Sequence, residues 1–317
     1  MGMCQPVARS TKTMAKRWSA ELELVGAGGE PVDLWRTISS HGVADLPPNR
    51  IDDEQRTLEV TVAVARGKPR TAVIYQGRPG YARVEVRGGK ADSVLDTVRH
   101  MLGLDADLSA FYELVAEDPD LDLVAKGAGR MLRSPSVFEE VVKTICTTNC
   151  AWSGTVRMVS SLVEHLGAPS AAASPGSFGR AFPTPEAMAE AGVDFYRDIA
   201  RAGYRGAYLR ELATSVADSE LDIEAFAAGP DELPDEELAE RLLALPGVGP
   251  YATAHIMMLL GRYSRLVLDS WTRPKYLTVS GAKSAKDATI ERRFRRYGPY
   301  AGLAFWLYLT RDWVDDA

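Results

Sequence analysis

The sequence predicts an α+β protein, mostly α, in which a small N-terminal antiparallel β-sheet precedes an all-helical region. Three observations predict it. Residues 57–64 alternate, with Leu58, Val60, Val62 and Val64 on one side and Glu59, Thr61 and Ala63 on the other, the period of a half-buried strand. Short β-rich runs at 20–25, 71–76 and 82–87 flank it, punctuated by turn sequences around Gly67 to Pro69 and Gly77 to Gly80. After Gly89 the apolar period becomes that of amphipathic helices.

Residues 1–17 carry Arg9, Lys12, Lys16 and Arg17 without the apolar run of a signal peptide, and are expected to be a disordered basic tail. Residues 18–90 form the expected β domain, and 91–317 the helical region, in two subdomains. Helices are expected near 92–102, 107–116, 136–148, 152–166, 185–191, 206–217, 235–245 and 250–261. Ser136 and Glu139 have capping-box spacing, and Thr184-Pro185 and Asp287 fit helix starts, because their side-chain oxygens can take orphan backbone N–H groups. Residues 168–179, rich in Ala, Ser and Pro, read as a surface loop.

The chain has 317 residues, 46% of them hydrophobic, enough for one large core or two to three smaller ones without a staple. Its only cysteines are Cys4, Cys146 and Cys150, which excludes a disulfide framework and a four-cysteine cluster within the chain. A reducing, cytoplasmic setting is expected, with no membrane span, no metal and no organic cofactor. The net charge of -6 weighs against a nucleic-acid partner, since non-specific DNA affinity comes mainly from cations at phosphates. The charge is unevenly placed, however. Acidic residues crowd 113–122 and 231–240, while Arg262, Arg265, Arg273, Lys275, Lys283, Lys286, Arg292, Arg293, Arg295 and Arg296 gather near the C-terminus, so a local basic face is expected.

The most informative stretch runs from Ala244 to His255, through Pro246, Gly247, Val248, Gly249, Pro250 and Tyr251. Two glycines in three residues favour a tight turn that brings N–H groups to a helix N-terminus, where the macrodipole also favours an anion. Gly247, Val248 and Gly249 are therefore the candidate grip on a phosphate; a plain helical hairpin is the other reading. Twenty positions beyond Gly249 stands Asp269, after an apolar run and before Ser270 and Trp271, which places it at the start of a short helix. A lone aspartate there reads as an N-cap.

Hairpin and aspartate together resemble the helix-hairpin-helix (HhH-GPD) DNA glycosylases, and nearest among them the eukaryotic-type 8-oxoguanine branch. Further matches extend over nearly the whole chain. The run from Cys146 to Asn149 resembles the helix end whose asparagine fills the space left by a flipped base. Gly203, Tyr204 and Arg205 resemble the wedge beside the estranged base, and Gly298 to Gly302 the entry to the C-terminal helix. The family's layout also puts residues 33–37 on an early strand.

The resemblance implies base excision repair on double-stranded DNA containing a damaged base, by a hydrolase that acts as a monomer. Such an enzyme turns the target nucleotide out of the stack, offsetting the cost with a wedge, here Asn149, Tyr204 and Arg205. Positive charge then develops on the sugar, and a carboxylate there stabilises it and activates water, the role implied for Asp269. Bifunctional members carry a lysine nucleophile where this chain has Tyr251, and a phenol cannot form an imine. A monofunctional glycosylase without lyase activity is therefore expected; the alternative is an inactive lesion-binding protein of the same fold. His255 lies one turn beyond Tyr251 on the same helix face. The resemblance adds Phe305 and Leu309 to a base pocket with Tyr251 and His255. Phe305 replaces an amide and Leu309 an aromatic, so an alkylated purine is favoured slightly over an oxidised one. His41 is a further candidate from the sheet domain.

Overall fold

Five strands build one antiparallel sheet in the order β1-β5-β4-β3-β2: β1 (Arg17–Glu23), β2 (Arg50–Asp52), β3 (Thr57–Val62), β4 (Arg70–Gln76) and β5 (Tyr81–Arg87). The computed structural model describes residues 17–64, 67–90, 92–173 and 178–314. The expected basic tail lies outside them except for Arg17, which opens β1 opposite Arg87. Strand β2 escapes a periodicity argument, since three residues carry no period; it pairs at the sheet edge, Ile51 facing Leu58.

Leu58, Val60 and Val62 of β3 are buried, as their alternation requires. Its polar face is not solvated, because Glu59 and Thr61 are buried too. The segment read as a surface loop crosses that face. The Thr61 and Thr71 hydroxyls lie 2.9 Å apart, Thr71 donates to Ser170 Oγ at 2.9 Å, and the Ala171 N–H donates to the Pro69 carbonyl at 3.0 Å. Residues 174–177 of that segment lie outside the described residues.

Residues 33–37 form no strand. They open helix α1 (Leu34–Ile38), with Asp33 as its N-cap: Asp33 Oδ1 accepts the Arg36 N–H at 2.9 Å, and the Thr37 hydroxyl donates to the Asp33 carbonyl at 2.8 Å. A short side chain that satisfies an orphan N–H favours a helix start over an extended run. The remaining helices are α2 (Asp92–Met101), α3 (Ser109–Val115), α4 (Val137–Thr147), α5 (Trp152–Leu166), α6 (Pro185–Glu190), α7 (Arg205–Ala217), α8 (Asp235–Leu243), α9 (Pro250–Leu259), α10 (Thr272–Ser280), α11 (Asp287–Phe294) and α12 (Ala301–Thr310). Ser136 and Thr184 cap α4 and α6 as expected. Asp287 does not cap α11. Its carboxylate takes the Arg273 guanidinium in two bonds of 2.8 Å, a stronger charge-assisted contact than a cap.

Three apolar clusters hold these elements. In the first, the sheet packs on α2 through Val94, Val98 and Met101, so the sheet's core continues past the boundary expected at residue 90. The other two meet at α9, a helix apolar on every side and therefore buried all round. Ala252, Ile256 and Met257 face the cluster built by α4, α5, α7 and α8, while Ala254, Met258 and Leu259 face the cluster of α3, α11 and α12. Among the described residues no helix is long and apolar enough to cross a membrane.

A buried ion pair ties the segment after β1 to the segment before α4. Arg130 Nη2 lies 2.6 Å from Glu30 Oε1, with side chains 1% and 3% exposed. The same carboxylate oxygen accepts the Leu108 N–H at 2.6 Å. Removing one member strands the other charge in a dry site, so Arg130→Met should cost about 3–5 kcal/mol. The check is urea unfolding, with a lower midpoint and an unchanged slope.

Candidate active site

The turn between α8 and α9 divides its duties unequally. Gly247 adopts φ +79°, and a Cβ there would stand 2.7 Å from the Tyr208 ring, so only glycine fits. Gly249 has open space around it. The Val248 N–H donates to the Leu245 carbonyl at 3.2 Å and its side chain is buried between helices. Its expected part in gripping a phosphate is therefore corrected, because that amide closes the turn. Among the described residues the N–H groups of Gly247 and Gly249 have no acceptor, and Pro250 opens α9 at a position that needs none.

Asp269 sits at the mouth of α10. Its Oδ1 accepts the N–H groups of Trp271 at 2.8 Å and Thr272 at 2.6 Å, and Thr272 Oγ1 accepts the Asp269 N–H at 2.8 Å. The carboxylate is thus fixed by the turn that leads into α10, whose N-cap residue is Trp271, and among the described residues Oδ2 accepts no hydrogen bond. Burial, with the Asp269 charge as a further cause, raises the pKa of the Tyr251 phenol, partly offset by its contact with Thr147. Tyr251 therefore stays protonated beside a fixed carboxylate.

From Tyr251 a line of rings runs inward. Its hydroxyl lies 3.3 Å from Thr147 Oγ1 at the end of α4, and its ring stacks on His255 at 5.9 Å and 16°. His255 lies 3.5 Å from Thr144 Oγ1, and His41 stands against it edge-on at 6.1 Å. Burial pushes His255 down to about 4, and burial together with the His255 and Lys143 neighbours pushes His41 down to about 3, so both imidazoles are neutral at pH 7.

The C-terminal helix presents a different face from the one expected. Phe305 and Leu309 are fully buried, and Phe305 packs on Phe294 at 5.1 Å and Tyr276 at 6.4 Å, so both belong to the core shared with α10 and α11. The neighbouring residue, Trp306, turns to the site. Its Nε1–H donates to the Ser40 carbonyl at 2.8 Å, and its ring meets Trp271, two residues after Asp269, at 5.7 Å. One position along a helix is a rotation of about 100°, and a run apolar all round gives no sign of which face is which. Trp271, Trp306, Thr144 and Thr147 are candidate-site residues that the sequence did not single out; Trp271, two positions after Asp269, and Thr147, within the run from Cys146 to Asn149, stood near a legible signal. A cavity of about 500 Å³ is lined by Tyr251 together with Ala254, Leu268, Arg273, Glu291 and Arg295.

Asn149, Tyr204 and Arg205 come together. Asn149 is exposed with φ +44°, and its Nδ2 donates to the Tyr204 hydroxyl at 3.4 Å. Tyr204 is 53% exposed and its ring meets that of Tyr208, which packs on Gly247, so wedge and hairpin share a support. Arg205 is buried instead. Its guanidinium donates to the carbonyls of Thr148, at 2.9 Å from Nε, and Asn149, at 2.8 Å, which makes it a residue that positions Asn149.

The C-terminal basic cluster is largely neutralised. Arg262 pairs with Asp235, Arg265 with Glu236, Arg293 with Asp120 and Arg296 with Asp118, so the two acidic runs supply the partners. Arg273 and Lys275 pair with Asp287 and Asp312. Lys283, Lys286, Arg292 and Arg295 are exposed and form no ion pair among the described residues, so the basic face shrinks to these four. No group of His, Cys, Asp and Glu among the described residues is arranged to hold a metal ion.

No family model matches the chain. Two curated proteins from strains of Mycobacterium tuberculosis, each described as a probable bifunctional transcriptional activator/DNA repair enzyme AlkA, are 31% identical over 166 residues, or 51% of this chain. The match spans 31% of their length, so the chain covers about a third of these relatives. Among solved structures, the 3-methyladenine DNA glycosylase from Archaeoglobus fulgidus superposes with a TM-score of 0.70 at 20% identity, over 93% of this chain and 99% of that one. The 8-oxoguanine glycosylase/lyase of Clostridium acetobutylicum in its apo form gives 0.70 at 19% identity, over 93% and 98%. The same enzyme with double-stranded DNA containing cytosine opposite 8-oxoguanine gives 0.68 at 21%, over 90% and 93%. The chain thus has the fold of the solved helix-hairpin-helix DNA glycosylases.

The two hairpin glycines should respond differently to substitution. Gly247→Ala meets both the Tyr208 ring and a left-handed backbone, and should lower thermal stability as well as duplex affinity. Gly249→Ala should leave the melting temperature within about 2 °C, a change below 1 kcal/mol for a chain of this size, while weakening affinity for duplexes of any sequence. Calorimetry and a duplex titration of each variant check this.

Proposed function

We propose that this protein is a monofunctional DNA glycosylase that hydrolyses the N-glycosidic bond of a damaged purine, alkylated or oxidised, turned out of duplex DNA. The observation that carries the reading is the placement of Asp269: one carboxylate oxygen is fixed by two amides, the other has no partner among the described residues, and the carboxylate's charge is felt by the Tyr251 phenol, whose ring stacks on His255. The 31% identical DNA repair relatives and the glycosylase fold support it.

As the bond from C1′ to the base nitrogen breaks, the base leaves with the electron pair and the sugar becomes cationic. The Asp269 carboxylate stabilises that charge; water adds to C1′ and gives its proton to Asp269. Asn149 and Tyr204 fill the gap, and the Gly247 and Gly249 amides hold a phosphate. The aromatic walls suit a purine ring, and the two neutral imidazoles offer it hydrogen-bonding edges.

The capping bonds of Asp269 favour a second reading, a lesion-binding protein in which the residue only starts α10. Asp269→Asn separates the two, because asparagine caps as well as aspartate but carries no charge. Base release should fall by at least about 100-fold with duplex affinity little changed. The assay is abasic-site formation, revealed by alkali, on duplexes carrying single oxidised, alkylated or deaminated bases. Wild-type turnover by the variant would contradict the mechanism.

No strand cleavage should accompany base loss. Tyr251 has no amine, Lys143 is buried against Glu139 at 2.6 Å, and Lys275 is held by Asp312 at 2.7 Å. Borohydride should trap no covalent protein–DNA adduct, and product strands should break only after alkali; efficient trapping is the contrary result.

A further inference from the structure

The loop before residue 43 belongs to the sheet side of the molecule, yet it is fastened among the helices. The Leu132 N–H donates to Ser40 Oγ at 2.9 Å, Trp306 Nε1–H donates to the Ser40 carbonyl at 2.8 Å, and His41 Nε2 lies 2.8 Å from the Leu132 carbonyl. A carbonyl only accepts, so Nε2 carries the proton. In a neutral ring Nδ1 is then a lone pair, directed away from Leu132. That nitrogen is buried and has no hydrogen-bond partner. The ring is 4% exposed and stands edge-on to His255, and beside it Trp152, half exposed, lies over Gly42.

We propose that His41 Nδ1 is a specificity-determining acceptor that takes a hydrogen bond from a ring N–H of the extruded purine. This rests on the glycosylase reading and narrows its substrate to purines that present such a donor. The ring cannot adapt by protonation: burial, His255 and Lys143 all oppose a charge on it. Nor can it adapt by exchanging tautomers without breaking the bond to Leu132. A base with a methyl group in place of the proton would leave the acceptor unpaired and press carbon against it, and a buried acceptor left unmade is a large enough loss to discriminate.

The test is a chemical double-mutant cycle on two matched pairs in otherwise identical duplexes: hypoxanthine with 1-methylhypoxanthine, and 8-oxoguanine with 7-methyl-8-oxoguanine. The variant is His41→Gln, whose amide N–H can still reach the Leu132 carbonyl while the Nδ1 acceptor is gone. Wild type should release the N–H member of at least one pair at least tenfold faster in kcat/KM, and in His41→Gln that preference should fall below threefold. Affinity for a duplex with a tetrahydrofuran abasic analogue should stay within twofold, since no base is present to be read. A preference unchanged by the substitution, or no preference in either pair, overturns the assignment of His41 while leaving the glycosylase reading in place. Loss of tetrahydrofuran affinity in parallel with activity shows a structural role and likewise overturns it. Absence of base release from all four duplexes and from the wider lesion panel overturns the glycosylase reading, and this one with it.

Discussion

The site depends on how Ser40 and His41 are held. Three hydrogen bonds, two with Leu132 and one from Trp306, fasten this short stretch between the sheet and α12. Each involves a buried backbone group that would be costly to leave unpaired, so the loop has one arrangement rather than several. Through His41 it meets His255 and through Trp306 it meets Trp271. The His255 ring and the Trp271 ring, two residues after Asp269, thus both meet side chains that polar contacts fasten to a segment of the sheet domain, and the helical region does not complete the candidate site alone.

Helix α9 carries the second constraint. It is buried on every side, and its two faces belong to different clusters. The hairpin sits at its N-terminus and the ring pair of Tyr251 and His255 on its first turns, so a shift of α9 would move the proposed phosphate grip and the proposed pocket wall together. Such coupling suits the proposed chemistry, in which a backbone grip and a base pocket must keep a fixed separation. The wedge joins the same unit, because Tyr208 packs on Gly247 and meets Tyr204.

Charge is distributed with the same economy. The acidic run on α8 neutralises Arg262 and Arg265, and the acidic run after α3 neutralises Arg293 and Arg296. Of these, exposed pairs such as Arg265 with Glu236 add little stability individually, whereas Arg262 is buried. The pairs do remove cations that a linear reading would assign to DNA, which leaves four cations of the C-terminal cluster without an ion pair among the described residues in a protein of net charge -6.

The sequence by itself determined the elements. Alternation found the main strands, apolar periods and caps found most of the helices, and Gly247, Gly249 and Asp269 marked the candidate site, because these signals are local and arise from backbone geometry. It misread residues 33–37, where an N-cap outweighed the expected strand, and it could not orient α12, whose apolar residues surround the helix. Only the tertiary structure decided that Phe305 packs in the core while Trp306 meets Ser40 and Trp271, that Val248 and Arg205 serve the protein's own backbone, and that the basic cluster meets its acidic partners. These outcomes depend on which surfaces meet across long separations in the chain, and neither a residue's type nor its near neighbours carry that information.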